Sequence, residues 1–194
     1  MFSEIDTDFR DELFFRKIQL HKDDRGWFFE LHRDTEPLIN AIRFCQDNIS
    51  VSIGKVVRGL HCQLGQWQKM TLIKGEIKYI ALNLDKNSDA FGQIRILDMK
   101  SSEVNQVVGS PKIAHGFITI SEETILNYKS SVYYGESQQF GISILPFLEK
   151  LNISIENYSI SERDLHFPVL NLENLDVTLK KNITDILEIT SNGK

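Results

Sequence analysis

From residue 14 to about residue 147 the chain is a succession of short apolar runs broken by turn signals. "FFRKIQLH" alternates, "KDDRG" turns, and "WFFELH" resumes. "NISVSIGKVVRGLHCQ", "KMTLIKGEIKYIALNLD", "FGQIRILDM", "NQVVGSPKIAHGFITI" and "TILNYKSSVYY" follow. Runs this short, separated by Gly or by Asn, Ser and Asp, cannot build long helices. They predict an all-β antiparallel sandwich or barrel. Three stretches depart from the pattern. "TEPLINAI" reads as a short helical turn, "LPFLEKLNI" as a loop or single turn, and "SERDL" as a Ser-capped turn. The tail "LENLDVTLKKNITDILEITSNGK" is weakly periodic and fits a helix or an extra strand pair, with a polar end that frays.

Length bounds the rest. A chain of 194 residues suits one domain with a sizeable core and is short for two. Four prolines, no low-complexity stretch and no repeat argue against a linker. A net charge of −5 disfavours general attraction to nucleic acid or membrane. No apolar run approaches the roughly 20 residues a membrane helix needs. The N-terminus lacks a signal-peptide pattern. The two cysteines, Cys45 and Cys62, read as reduced core residues of a cytoplasmic protein.

The run "VVRGLHCQ" places an arginine and a histidine in one strand. Alternation puts Gly59, His61 and Gln63 on one face and Leu60 and Cys62 on the other. Parity alone sends Arg58 away from His61. A bulge near Gly59 would bring it back, and without one Arg58 and His61 would not share a pocket. His115 enters a second strand beside Gly116. As a pair the two histidines fit a pocket about as well as a structural role. A metal site is the weaker reading. The residue two beyond His61 is a glutamine, Cys62 faces away, and no third histidine is well placed. In "LNYKSSVYY", Tyr128 shares a face with Leu126 and Ser130, and Lys129 takes the other. Lys69 opens a strand, Asn83 lies within one, Arg25 sits in a turn, and Glu30 shares a face with Phe28.

Taken together, "DDRGWFFE", "FCQDNISVSIGKVVRGLHCQ", "QKM", "GEIKYIALNLD", "FGQ", "PKIAHGF", "LNYKSSVYY" and "SERD" resemble, in order, the dTDP-4-dehydrorhamnose 3,5-epimerase family. The resemblance runs over about residues 14 to 168, which makes 14–168 the core of a single domain and 169–194 a C-terminal extension. It implies a cupin-type jelly roll, usually a homodimer that exchanges strands, with no metal and no redox cofactor. It implies a nucleotide-diphosphate sugar carrying a 4-keto group, whose C3 and C5 protons are removed and returned on the other face. His61 matches the general base, and an imidazole, ordinarily near pKa 6.5, suits that work. Asp164 matches the carboxylate that orients the imidazole. Lys69 resembles the cation beside the enolate oxygen. Tyr128 matches the acid on the opposite face. Arg58 and, from a neighbouring subunit, Arg25 resemble diphosphate ligands. Glu30, Gln46 and Asn48 match positions near the nucleotide, and His115 matches a second pocket histidine.

The chain also departs from the family pattern. Asn83 stands where an aspartate near the active histidines is usual. The loop between Gln63 and Lys69 is short and carries Trp67. Pro111–His115 lacks a glycine, and Leu72 replaces an arginine. These departures imply a changed substrate or epimerisation at one carbon sooner than a dead enzyme. A 3- or 5-epimerase, a 3,4-ketoisomerase and a non-catalytic sugar-binding cupin therefore stand beside the 3,5-epimerase.

Overall fold

The computed structural model describes residues 5–9, 12–33, 42–103, 106–135 and 139–169. The helical turn expected at 35–42, apart from Ile42, and the tail beyond residue 169 lie outside these. Fourteen strands and two short helices follow in order: β1 (Ile5–Asp8), β2 (Leu13–Arg16), β3 (His21–Asp23), β4 (Gly26–Phe28), β5 (Gln46–Ile53), β6 (Val56–Gln63), β7 (Gln68–Lys74), β8 (Glu76–Asn83), β9 (Ile94–Lys100), β10 (Gln106–Gly109), β11 (Ile113–Thr119), β12 (Glu123–Ser130), β13 (Gln139–Gly141), α1 (Leu145–Lys150), β14 (Ser159–Ile160) and α2 (Glu162–Leu165).

The strands form two facing sheets and a separate hairpin. One sheet has the order β1-β2-β10-β7-β12-β5. The other has the order β13-β6-β11-β8-β9, with β14 parallel to β6. The hairpin is β3-β4. This is the antiparallel sandwich that the alternating runs predict, in the jelly-roll form that the family resemblance implies. "LPFLEKLNI" supplies the short helix α1.

Two apolar cores explain the patterning. Between the sheets pack Met70, Leu72, Tyr79, Ala81, Phe117 and Leu126, among others. On the outer face of the second sheet, Leu60, Cys62, Ile80, Leu82 and Ile118 pack under Phe147 and Leu148 of α1. The second sheet is therefore covered on both sides, and every residue of β11 is buried. That is why its sequence reads as a nearly continuous apolar run, whereas a half-solvated strand alternates. Strand β5 is the opposite case. At the end of its sheet it exposes Ile49, Val51 and Ile53 on one face.

A bulge at Gly59, one of the two alternatives the sequence leaves open, is present. His61 lies opposite His115 and Arg58 opposite Phe117, so β6 uses one more residue than β11 over this span. Gly59 has φ +104°, a conformation that L side chains resist. A Cβ there would stand 2.7 Å from the Gly116 Cα and 2.7 Å from the His115 carbonyl oxygen. Two glycines facing each other let the backbones close in at the bulge. The extra residue turns Arg58 onto the face of His61.

Candidate active site

The inner faces of the two sheets enclose a cleft of about 440 Å³, within the ordinary range for small-molecule sites. His61 and His115 line it from the second sheet, and Tyr128, Gln46 and Asn48 from the first. Arg58 lines it as well, with its Nε donating to the Ser52 hydroxyl at 3.3 Å.

The bulge also builds the catalytic pair. It takes the Gly59 N–H out of the regular ladder, and this donor goes to Asp164 Oδ2 at 3.0 Å. Asp164 is held in turn by α2. Ser161 caps that helix and accepts the Asp164 N–H at 3.1 Å, as the "SERD" motif predicts. The other carboxylate oxygen, Oδ1, lies 2.9 Å from His61 Nε2. Arg163 also reaches Nε2, at 3.2 Å. The nitrogen can serve one of them in each tautomer. Burial alone would raise the Asp164 carboxyl, but the hydrogen bonds from His61 and the Gly59 N–H bring it down to about 2. It is thus ionised near neutrality, and the shorter contact to an anion makes Nε2 a donor to Asp164. The lone pair left for accepting a proton is on Nδ1. Phe167 closes the outer side, edge-on to the imidazole at 5.5 Å and packed where Gly141 has no side chain.

On the facing sheet, burial pushes the Tyr128 phenol up to about 12, against smaller opposing effects of Ser50 and Arg58. It keeps its proton at neutral pH and is available as a donor. Burial, then the neighbouring His61, lowers His115 to about 3, and its Nδ1 has no partner among the described residues. His115 is therefore neutral inside the protein. Between about pH 3 and 6.5 the unfolded chain binds the extra proton, so this residue makes stability rise with pH across that window. The slope it can add is at most about 1.4 kcal/mol per pH unit. Chemical denaturation of wild type and His115→Gln at pH 4 and pH 7 checks this. The variant is expected to lose less stability on acidification.

Four of the expected site residues lie elsewhere. Lys69 does not face the cleft. Met70 pairs with Tyr128 and Gln68 with Ser130, so Gln68 and Met70 point inward and Lys69 points out. Its side chain is fully buried on the far side of the sheet, with Nζ 2.8 Å from His32 Nδ1 and 5.8 Å from the Phe44 ring centroid. Asn83 is fully buried at the end of β8, outside the cleft lining. Its side-chain carbonyl is turned back to accept the Asp85 N–H at 2.7 Å, capping its own turn. Glu30 is not in the cleft of its own chain and pairs with Arg33 at 2.5 Å. Arg25 sits in the exposed turn of the β3-β4 hairpin, paired with Asp23 at 2.5 Å. It is likewise outside the cleft of its own chain.

Comparison with known proteins decides the family. The model of the dTDP-4-dehydrorhamnose 3,5-epimerase family matches residues 7–171. The chain belongs to this family. The dTDP-4-dehydrorhamnose 3,5-epimerase of Methanothermobacter thermautotrophicus is 37% identical over 131 residues, which is 64% of this chain and 69% of that protein. Among solved structures, this epimerase chain is similar to the dTDP-6-deoxy-D-glucose-3,5-epimerase of Legionella pneumophila in complex with dTDP-4-keto-L-rhamnose. The TM-score is 0.76 at 29% identity, covering 90% of this chain and 96% of that one. It is also similar to dTDP-4-dehydrorhamnose 3,5-epimerase from Bacillus anthracis with TDP and PPi bound. There the TM-score is 0.75 at 28% identity, covering 88% of this chain and 100% of that one.

The epimerase cleft also contains residues that motif reading passes over. Gln63, Gln66 and Gln68 line one end, with Ser130 beside them. Arg163, outside the cleft lining, touches His61 from α2. Gln63 was visible as the residue two beyond His61. Gln68 follows from alternation once the partner of Tyr128 is known. Gln66 lies in a turn and has no periodic signal.

Proposed function

We propose that this protein is an epimerase of a dTDP-linked 4-keto-6-deoxy sugar, inverting C3 and C5 without a metal or redox cofactor. The observation that carries this is the placement of His61, backed by Asp164, and Tyr128 on opposite sheets of one cleft. A proton next to a ketone is acidic because the electron pair it leaves passes into the carbonyl oxygen as an enolate. His61 Nδ1 takes that proton from one face of the ring. Tyr128 returns one to the other face, which inverts the carbon. His115 and Arg58 lie at hand, the guanidinium of Arg58 suiting the diphosphate. Gln46 and Asn48 suit the nucleotide end. Lys69 has no part in this scheme.

The reading extends to the assembly. We place the protein in the cytoplasm as a homodimer that exchanges strands. The exposed Ile49, Val51 and Ile53 on β5, and Trp27 and Phe28 on the β3-β4 hairpin, are apolar surfaces that a second copy would cover. Such a partner could bring Arg25 and Glu30 to the cleft. Among the described residues no helix is long and apolar enough to cross a membrane.

The test is proton exchange. Incubation in D₂O with dTDP-4-dehydro-6-deoxyglucose, followed by NMR, is expected to show deuterium at C3 and C5. Deuterium at one carbon would identify a single-site epimerase, and deuterium at neither would leave a binding protein. Tyr128→Phe separates the two half-steps. Loss of a positioned acid costs about 10²-fold or more. The variant should therefore wash out the proton by way of His61 while inverting the carbon slowly. Parallel loss of exchange and inversion would count against Tyr128 as the acid.

A further inference from the structure

Removing a proton next to a ketone needs a donor at the oxygen where charge collects. The lysine that sequence offers for this points out of the cleft. What faces inward one strand pair from Tyr128 is Gln68. It belongs to a cluster of three amides. The Gln63 side-chain oxygen accepts from Gln66 Nε2 at 2.9 Å and also from Gln68 Nε2. Gln66 is 4% exposed and directs its amide nitrogen to Gln63 and to the Ser130 hydroxyl, which it reaches at 3.2 Å. Its donors are therefore engaged. Gln68 is different. One amide hydrogen goes to Gln63, and the second has no acceptor among the described residues. Gln68 itself lines the cleft, so its spare hydrogen is one that a bound ligand can take up.

We infer that Gln68, oriented by Gln63, donates to the carbonyl oxygen of the sugar and holds the enolate oxygen as His61 removes the proton. This inference rests on the epimerase reading above. In the step, the C–H bond breaks, the proton passes to His61 Nδ1, and the electron pair moves into the C4 carbonyl. Nothing is oxidised or reduced. The site thus meets the oxyanion with a neutral amide where an ammonium was expected. Charge-assisted hydrogen bonds are about twice as strong as neutral ones, so a cation at this position should do the same work.

Four variants test this in the exchange assay, with dTDP binding and thermal melting as controls for fold. Gln68→Met keeps the length and removes the donor. It is expected to lower kcat about 10²-fold with little change in KM or dTDP affinity. Gln68→Lys should restore exchange, Gln68→Glu should not, and Lys69→Met should leave kcat unchanged. Wild-type kcat in Gln68→Met, or a Lys69→Met variant that folds, binds dTDP and loses exchange, would overturn the inference. If Gln68→Met does not fold, the Lys and Glu variants decide between donor and packing roles, and equal activity in those two overturns the inference. Absence of exchange in wild type is a different failure, since it removes the epimerase reading itself and the role of Gln68 with it.

Discussion

Alanine in place of His61 is expected to abolish deuterium uptake at both C3 and C5, lowering kcat by about 10⁴-fold, the upper end of what a positioned general base contributes. The size follows from where the base sits. Among the residues lining the cleft, His61 is the one whose ring is anchored by a buried carboxylate. His115, the other cleft histidine, is held neutral by burial with its pKa at about 3, and so makes a poor proton acceptor. Tyr128 at about 12 keeps its proton and cannot substitute as a base near neutrality. Among the described residues that line the cleft, no second group stands ready to take over. Binding should survive, because Arg58, Gln46 and Asn48 are untouched. Calorimetry with dTDP should therefore give wild-type affinity alongside the loss of exchange. Turnover that persisted in His61→Ala would place the base elsewhere and undo the assignment of the site.

How far the sequence led can be judged at particular residues. Two-residue periodicity located the strands and put His61 with Gln63 and Tyr128 with Ser130, as the cleft lining has them. It could not by itself place Arg58, because strict parity opposed it. A glycine inside a strand marks a bulge or a close backbone approach, which leaves the face of Arg58 open in the sequence; in the fold Gly59 makes both. Lys69 went astray for a related reason. Choosing by residue type favoured the ammonium, yet a shift of one residue moves a side chain to the other face of a sheet. The register that fixes the face, Met70 against Tyr128, is a long-range pairing invisible in the local pattern. The family resemblance makes Asn83 a substrate-binding position, where an aspartate near the histidines is usual. The Asn83 side-chain carbonyl is instead taken by its own turn, a local competition that Asn wins readily. Arg25 and Glu30 show a third kind of gap. Both lie on or just beyond an exposed hairpin, and no single-chain pattern says what lies against it.

Asparagine at position 164 should be nearly as damaging as alanine at 61, and for a reason the geometry makes specific. The carboxylate accepts on both oxygens, from the Gly59 N–H at 3.0 Å and from His61 Nε2 at 2.9 Å. An amide has one accepting oxygen. If that oxygen stays on the Gly59 N–H, the NH₂ group faces Nε2, and the imidazole must present its lone pair there and carry its proton on Nδ1. The base is then blocked by its own tautomer, and the anion that stabilises the imidazolium is gone. In a hydrolase triad the same Asp-to-Asn change costs about 10⁴ in kcat, and a loss of that order is expected here. If the amide turns the other way, the bulge N–H is left buried without an acceptor, at a cost of about 1–3 kcal/mol. The two orientations have separate signatures, so kcat and the unfolding midpoint measured together tell them apart. Below about pH 4 the difference in stability between wild type and variant should shrink. The wild-type carboxylate stabilises the fold fully above its ordinary pKa and loses that contribution as the pH falls through about 2. A variant with wild-type kcat would mean that the imidazole orients itself without the carboxylate, leaving Asp164 as no more than a clamp on the bulge.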